Sequence, residues 1–470
     1  MSSARRWNFI NFLILAHFPL YGIFSYLRVQ EQEILGYLIY QGSMALYISW
    51  VWLKAMLRVD VRIPGFIFYR NNRLHSFLFA CLLLFMLVGI LFAAVLGSRA
   101  WFFSVAEAVL LFTLTLFWTL VIDAGRKQPG GMQRILLLVY ISLLFYVIIN
   151  VVGVLVGFES EGQLSKFSRD FEAIFSPFAV RPIFPLTQSG QFFSIIGGIL
   201  VILSLYGSWF KRLTHPVRFC TVLMGVLVLF GHSARAPIMA LILVMVYSLL
   251  PRRVLYALLP MLLIAFVALP VAVIYLDAGE YLSQLLVSLG IDVSKSGNDV
   301  SSLSNRDVIW SAALNYMFYE AGSFNLWFGH GAYGQIASGV EGSYQWLFKN
   351  SYVDLSHPPL HSTYVQTFVD YGIIGFVLLF GVMLMMFSQL RKIAISDRQL
   401  YSDSKMLSLL LVYIYICAVT ESIISYYTFD ILSLFIFLNL YVLAQRSTMM
   451  RVCALSTPKG KSCRALKYYC

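Results

Sequence analysis

Apolar residues in this chain come in long blocks rather than in alternation, and polar residues collect in the breaks between them. Blocks that read as membrane spans run near 9–27, 34–53, 76–96, 101–122, 135–157, 191–209, 218–231, 236–250, 254–276, 372–390, 406–425 and 429–445. A helix crosses the roughly 30 Å of bilayer hydrocarbon in about 20 residues, so most of these blocks are long enough for a full crossing. The pair 218–231 and 236–250 is shorter and predicts tilted neighbours, or helices ending at a water-filled recess. The pattern as a whole predicts an all-α membrane protein of about twelve transmembrane helices.

Basic residues mark alternate breaks: Arg5/Arg6, then Lys54/Arg58/Arg62/Arg70/Arg73, Arg126/Lys127/Arg134, Lys211/Arg212, Arg252/Arg253, Arg391/Lys392/Arg398/Lys405, and a tail from Arg446. The positive-inside rule puts all of them in the cytoplasm, so both termini are expected there. The expected organisation is spans one to nine in 1–276, an external loop domain at 277–371, three further spans in 372–445, and a basic cytoplasmic tail at 446–470. Arg5 and Arg6 ahead of an apolar run have the charge flank of a signal peptide. No small-x-small cleavage site follows, so the run reads as an uncleaved first span.

Composition agrees with the pattern. The 470 residues are 60% hydrophobic and 12% charged, whereas soluble domains are about half apolar and about a quarter charged. The net charge of +12 is accounted for by the span breaks and the tail, which excludes a nucleic-acid footprint. Six cysteines show no paired C-x-x-C spacing, so neither a disulfide framework nor a structural zinc is expected.

The external segments hold the candidate chemistry. Segment 158–190 is polar. Segment 277–371 carries nine acidic residues from Asp277 to Asp370 against Lys295, Arg306 and Lys349. A loop of that length is usually functional or has structure of its own, and apolar positions from Val308 to Met317 recur at helical spacing. Arg235 interrupts an apolar hairpin on the face where cations are normally avoided, and an Arg there must meet water, phosphate or a carboxylate; a snorkelling interfacial Arg is its bland alternative. Arg306 follows Ser304 and Asn305, either of which is placed to cap a helix; an ion pair with a nearby carboxylate is its bland alternative. His361 opens an amphipathic helix that is expected to run straight into the span at Gly372, where an imidazole can act as general base or as a structural donor. The Gly329-His330-Gly331-Ala332-Tyr333-Gly334 stretch lacks the Lys and Ser/Thr of a phosphate loop and reads as tight backbone turns. Glu107 and Glu421 lie within apolar blocks, where a carboxylate signals function or a paired partner. His330, His357 and His361 show no metal-ligand spacing.

Taken together, these pieces resemble the O-antigen ligase/polymerase superfamily. They are an external Arg at Arg235, an Asn-Arg-x-x-x-Trp helix at Asn305-Arg306 to Trp310, and the His361-Ser362-Thr363-Tyr364-x-Gln366 run reaching Gly372 and Gly375. The resemblance covers about Gly190 to Leu390, and Ala236-Pro237 departs from the small residues more usual after the Arg. It implies metal-independent, inverting glycosyl transfer at the outer face of the bacterial inner membrane, with no cofactor. It also implies a donor oligosaccharide on undecaprenyl diphosphate, catalytic roles for His361, Arg235 and Arg306, and substrate contacts from Arg181, His357, Tyr364 and Gln366. Within the superfamily a polymerase is favoured over a ligase, because the chain is longer than a typical ligase; a chain-length regulator protein is a conceivable partner. The rival from another class is a lipid-linked sugar flippase, which would show paired halves and a charged midplane path that this chain lacks.

Overall fold

The computed structural model describes residues 3–30, 32–57, 72–158, 184–187, 190–207, 215–231, 234–276, 281, 284, 288, 305–348, 359–396, 401–426 and 428–456. Among the described residues every regular element is helical. The long helices are α1 (Ser3–Val29), α2 (Glu33–Leu57), α3 (Arg73–Val95), α4 (Trp101–Arg126), α5 (Gly131–Leu155), α6 (Gly190–Tyr206), α7 (His215–Gly231), α8 (Arg235–Ser248) and α9 (Arg252–Tyr275). Short helices α10 (Arg306–Asn315), α11 (Gly322–Phe328) and α12 (Gly334–Ala337) follow, then α13 (Thr363–Ser396), α14 (Tyr401–Thr420) and α15 (Phe429–Ser456).

Eight described helices are long and apolar enough to cross a membrane: α1 to α5, α9, α13 and α14. The other four predicted spans coincide with shorter apolar helices, at Phe192–Tyr206, His215–Gly231, Arg235–Ser248 and Phe429–Gln445. Helix α8 has 14 residues and rises only about 20 Å, less than the hydrocarbon thickness.

Helices α14 and α15 form the centre of the bundle. From Phe429 to Ala444 every side chain of α15 is buried, while α9 leaves much of its surface uncovered. Helix α14 packs on α6, α8, α9 and α13, α15 packs on α4 and α13, and α1 packs on α2 and α5. Some polar side chains inside this apolar centre bond to one another across helices. Ser433 accepts from Trp118 Nε1 at 2.8 Å and contacts His17 Nε2 at 2.8 Å, and His75 pairs with Asn439 at 3.2 Å.

One end of α8 is fixed by chemistry at the basic breaks. Lys405 Nζ, near the start of α14, donates to Ser248 O at the end of α8 at 2.8 Å, and Tyr256 of α9 meets Ser404 at 3.0 Å. Helices α8 and α14 therefore pack antiparallel from this point. About 20 Å along, the Arg235 end of α8 and the Thr420 end of α14 reach the same level on the opposite side of the bundle.

The expected straight passage from the His361 helix into the span is corrected. Helix α13 spans both, but at Gly372 the backbone leaves helical geometry (φ 64°, ψ −163°). A Cβ there would lie 2.4 Å from the backbone carbon and oxygen of Trp327, at the end of α11. Only glycine combines that conformation with that approach. The break releases the carbonyls of Val369 and Asp370 from intrahelical bonding. His330 N and Gly331 N take them up at 3.0 and 2.8 Å, so the Gly-His-Gly stretch is the tight turn the sequence suggests.

Candidate active site

Arg306 is the first residue of α10, preceded by Asn305 in left-handed backbone (φ 63°). Asparagine tolerates that conformation, and its side chain makes no capping bond to the helix; Ser304, the other capping candidate, lies outside the described residues. Helix α10 is pinned to the next piece of the site by Trp310, whose Nε1 donates to Leu360 O at 3.0 Å. Leu360 N in turn donates to Gln366 Oε1 at 3.2 Å. Between them His361 adopts φ 48°, an uncommon conformation for a side-chain-bearing residue.

Strain of this kind persists only where the surroundings fix it, and here the fixing element is the turn after α14. Glu421 O accepts from Thr363 N at 3.1 Å and from Thr363 Oγ1 at 2.8 Å, and Thr363 Oγ1 accepts from Ile423 N at 2.9 Å. Glu421 is thus placed just past the end of α14 rather than within a span, which corrects its sequence assignment. Its carboxylate holds both candidate catalytic groups. Arg306 Nη2 reaches Oε1 at 2.7 Å and His361 Nδ1 reaches Oε2 at 3.3 Å. Arg306 Nε also donates to Thr420 O at 3.1 Å, and Phe348 stacks on the His361 ring with centroids 5.7 Å apart. Glu421 is 3% exposed, His361 12% and Arg306 14%. An ionised carboxylate only accepts hydrogen bonds, so Nδ1 carries the proton and Nε2 is left as the basic nitrogen.

The structure therefore joins Arg306 and His361 through Glu421. Arg235 is exposed at the start of α8, on the same side of the bundle as Thr420. Tyr364 and Gln366, expected to touch substrate, are buried and bonded within the protein. The Tyr364 hydroxyl donates to Tyr415 O at 2.9 Å, and the Gln366 amide donates to Gln335 Oε1 at 2.8 Å and Asp370 Oδ1 at 2.9 Å. Both brace the His361 turn. Arg181 and His357 lie outside the described residues. Among the described residues no group of three His, Cys, Asp or Glu side chains is arranged to hold a metal ion.

A second polar cluster adjoins this frame. Asp370 Oδ2 accepts from Tyr426 OH at 2.8 Å, and Tyr426 OH accepts from Tyr333 N. The Tyr333 hydroxyl donates to Glu107 Oε1 at 2.9 Å. Arg99 bridges Glu107 at 3.3 Å and Glu33 at 3.2 Å, and Arg28 pairs with Glu33 at 3.3 Å. Glu107, fully buried in α4, thus has the paired partners its position demands.

The polypeptide from α7 to the first half of α13 carries Arg235, Arg306 and His361, and it is this stretch that compares with known proteins. Residues 219–380 match the O-antigen ligase family model. The match supports the O-antigen ligase/polymerase-like superfamily, and it covers about a third of the chain. No curated protein matches the chain. Glu421 falls outside the O-antigen ligase-like segment, yet it is the residue that joins two of that segment's side chains. Its signal in the sequence was a lone acid at the edge of an apolar block, and that signal did not say which residues it serves. Arg28 and Arg99 carried a similar signal, being cations in breaks opposite the basic clusters.

Proposed function

We propose that the protein is a surface-polysaccharide polymerase of the O-antigen type. It joins oligosaccharide repeat units carried on undecaprenyl diphosphate, at the periplasmic face of a bacterial inner membrane that it crosses about twelve times. The observation that carries the reaction class is the shared grip of Glu421 on His361 and Arg306, at the level reached by Arg235.

In this reading His361 Nε2 removes the proton from the acceptor sugar hydroxyl as that oxygen attacks the anomeric carbon of the donor. The C–O bond to the lipid diphosphate breaks with inversion, and the diphosphate leaves as an anion. Glu421 keeps Nδ1 protonated and stabilises the imidazolium that forms. Arg235, exposed beside the N-terminal turn of α8, meets the departing diphosphate, where the helix dipole adds to its charge. Arg306 contributes positive potential from beside Glu421. Thr363, Trp310 and Gln366 keep the His361 turn in its strained geometry, which is the positional part of catalysis.

A ligase moving finished polymer to lipid A-core is the second reading, favoured by the match of residues 219–380 to the O-antigen ligase family. A lipopolysaccharide gel of the host lacking the protein, beside the restored strain, separates them. Core bearing a single repeat unit is expected for the polymerase. Bare core with polymer stranded on the lipid carrier indicates the ligase, and an unchanged ladder rejects both in favour of another polymer or another activity. His361→Ala, Arg235→Ala and Arg306→Ala should each abolish product while the protein still inserts; wild-type chain length from all three rejects the mechanism.

A further inference from the structure

The stretch from Tyr316 to Ala337 differs from the acidic loop around it, with Glu320 its only Asp, Glu, Lys or Arg. Within it α11 buries none of its residues. Phe324 is 67% exposed, Trp327 51% and Phe328 46%, and Phe318 beside them is 50% exposed. The rings of Phe324 and Phe328 stack at 5.0 Å, and Phe318 lies against Phe368 of α13 at 5.4 Å. An exposed aromatic cluster of this size on a soluble loop would be an aggregation hazard, and its presence calls for a covering phase.

The contacts within and just after α11 set its depth. Ala332 N donates to Gly89 O at 2.9 Å, and Gly89 lies six residues before the end of α3 at Val95, about 9 Å below that end. The Tyr333 hydroxyl reaches Glu107, six residues inside α4 from Trp101, at a similar depth. Trp327 itself packs on the backbone of Gly372, where the apolar span begins. Non-helical backbone survives at such depth only when its polar groups are satisfied by protein. The N–H groups of His330, Gly331 and Ala332 all find carbonyl partners, on Val369, Asp370 and Gly89.

We infer that residues 316–332 form a re-entrant element of the long loop whose aromatic face, Phe318, Phe324, Trp327 and Phe328, is seated among the acyl chains of phospholipids in the leaflet at the loop end of the bundle. Phenylalanine dominates this face and has no polar edge to offer a sugar, which favours acyl chains over a glycan. Trp327 occupies the boundary position where indoles concentrate. The backbone of α11 rests on the break in α13, so seating in the leaflet also holds the piece of α13 that follows His361.

The test is photocrosslinking of the full-length protein in native membranes, with p-benzoyl-phenylalanine replacing Phe324 and, separately, the exposed polar Ser343. Benzophenone abstracts hydrogen from nearby C–H bonds and stays unreacted in water. Adducts with phospholipid mass at position 324 and none at 343 are expected. A glycan, polyprenyl-diphosphate or protein adduct at 324, or equal behaviour at the two positions, overturns the inference. The readout does not use polymer formation, so its failure is distinguishable from failure of the glycosyl-transfer reading.

Discussion

Glu421→Gln removes one charge from the site and leaves its volume almost unchanged. In the native protein the carboxylate is 3.3 Å from His361 Nδ1. Two unit charges at that distance interact by about 5 kcal/mol at an effective dielectric near 20. Glu421 divides its field between His361 and Arg306 and carries a burial penalty of its own. About 2–4 kcal/mol of that attraction is therefore assigned to the imidazolium in the transition state. That corresponds to a loss of roughly 30- to 900-fold in rate. Because the charge on His361 develops only during reaction, the loss should fall on kcat and leave KM near its native value. The assay is polymer formation from purified lipid-linked repeat unit by detergent-solubilised protein, with initial rates taken over a range of donor concentration. Arg306→Ala strands a buried carboxylate and should lower stability by about 3–5 kcal/mol, and the Arg306→Ala/Glu421→Gln double variant should regain part of it. A Glu421→Gln enzyme with native kcat refutes the role given to this carboxylate. A loss confined to KM moves Glu421 to substrate binding.

Three further perturbations test the frame. Gly372→Ala places a Cβ against the Trp327 backbone at φ 64° and should cost at least about 2 kcal/mol. Gly381→Ala on the same helix meets only the tip of Leu78 at 3.3 Å and should be near neutral; thermal unfolding in detergent compares the two, and equal midpoints contradict the packing argument. Tyr333→Phe deletes the hydroxyl that bonds buried Glu107 and should destabilise by about 1–3 kcal/mol, visible as a lowered midpoint; an unchanged midpoint argues against the bond. Burial holds the Glu341 carboxyl above its ordinary value of 4.5. The folded state therefore keeps a proton that the unfolded state loses first, and native stability falls as pH rises from 4.5 through the raised folded value. Glu341→Gln should abolish that fall, and an unchanged stability-pH curve argues against the burial effect.

The apolar blocks made the helices legible, because a span must be both long and apolar. Their ends were less so: the run 406–425 continues apolar past Thr420, and nothing in it marks Glu421 as already off the helix. The break at Gly372 was hidden for a similar reason. Its cause is the approach of Trp327, 45 residues earlier in the chain, and hydropathy carries no trace of such a contact. His361 and Arg306 were visible as unusual residues on the loop side. Their common partner was not, since Glu421 is 60 and 115 positions away from them. The resemblance implied a substrate contact for Gln366, and the fold turns its amide inward to Gln335 and Asp370. The Arg99–Glu107–Tyr333 cluster joins the α3–α4 turn, helix α4 and the long loop in a way that only the tertiary arrangement reveals.

The break at Gly372 divides α13 into pieces with different mechanical allegiances. The outer nine residues, Thr363 to Tyr371, are bonded to the loop through His330 and Gly331 and to the α14 turn through Thr363. The inner piece faces the bilayer interior. A continuous rod would carry every tilt that accompanies a change in membrane thickness up to the imidazole. A hinge at that point lets the lower piece tilt while the upper one stays with its own anchors. The distance between His361 and Glu421 is then set by the loop and the α14 turn rather than by the tilt of the lower piece. Turnover in vesicles of shorter- and longer-chain phospholipids should accordingly stay level, and a steep dependence on chain length would show the two pieces to be rigidly coupled.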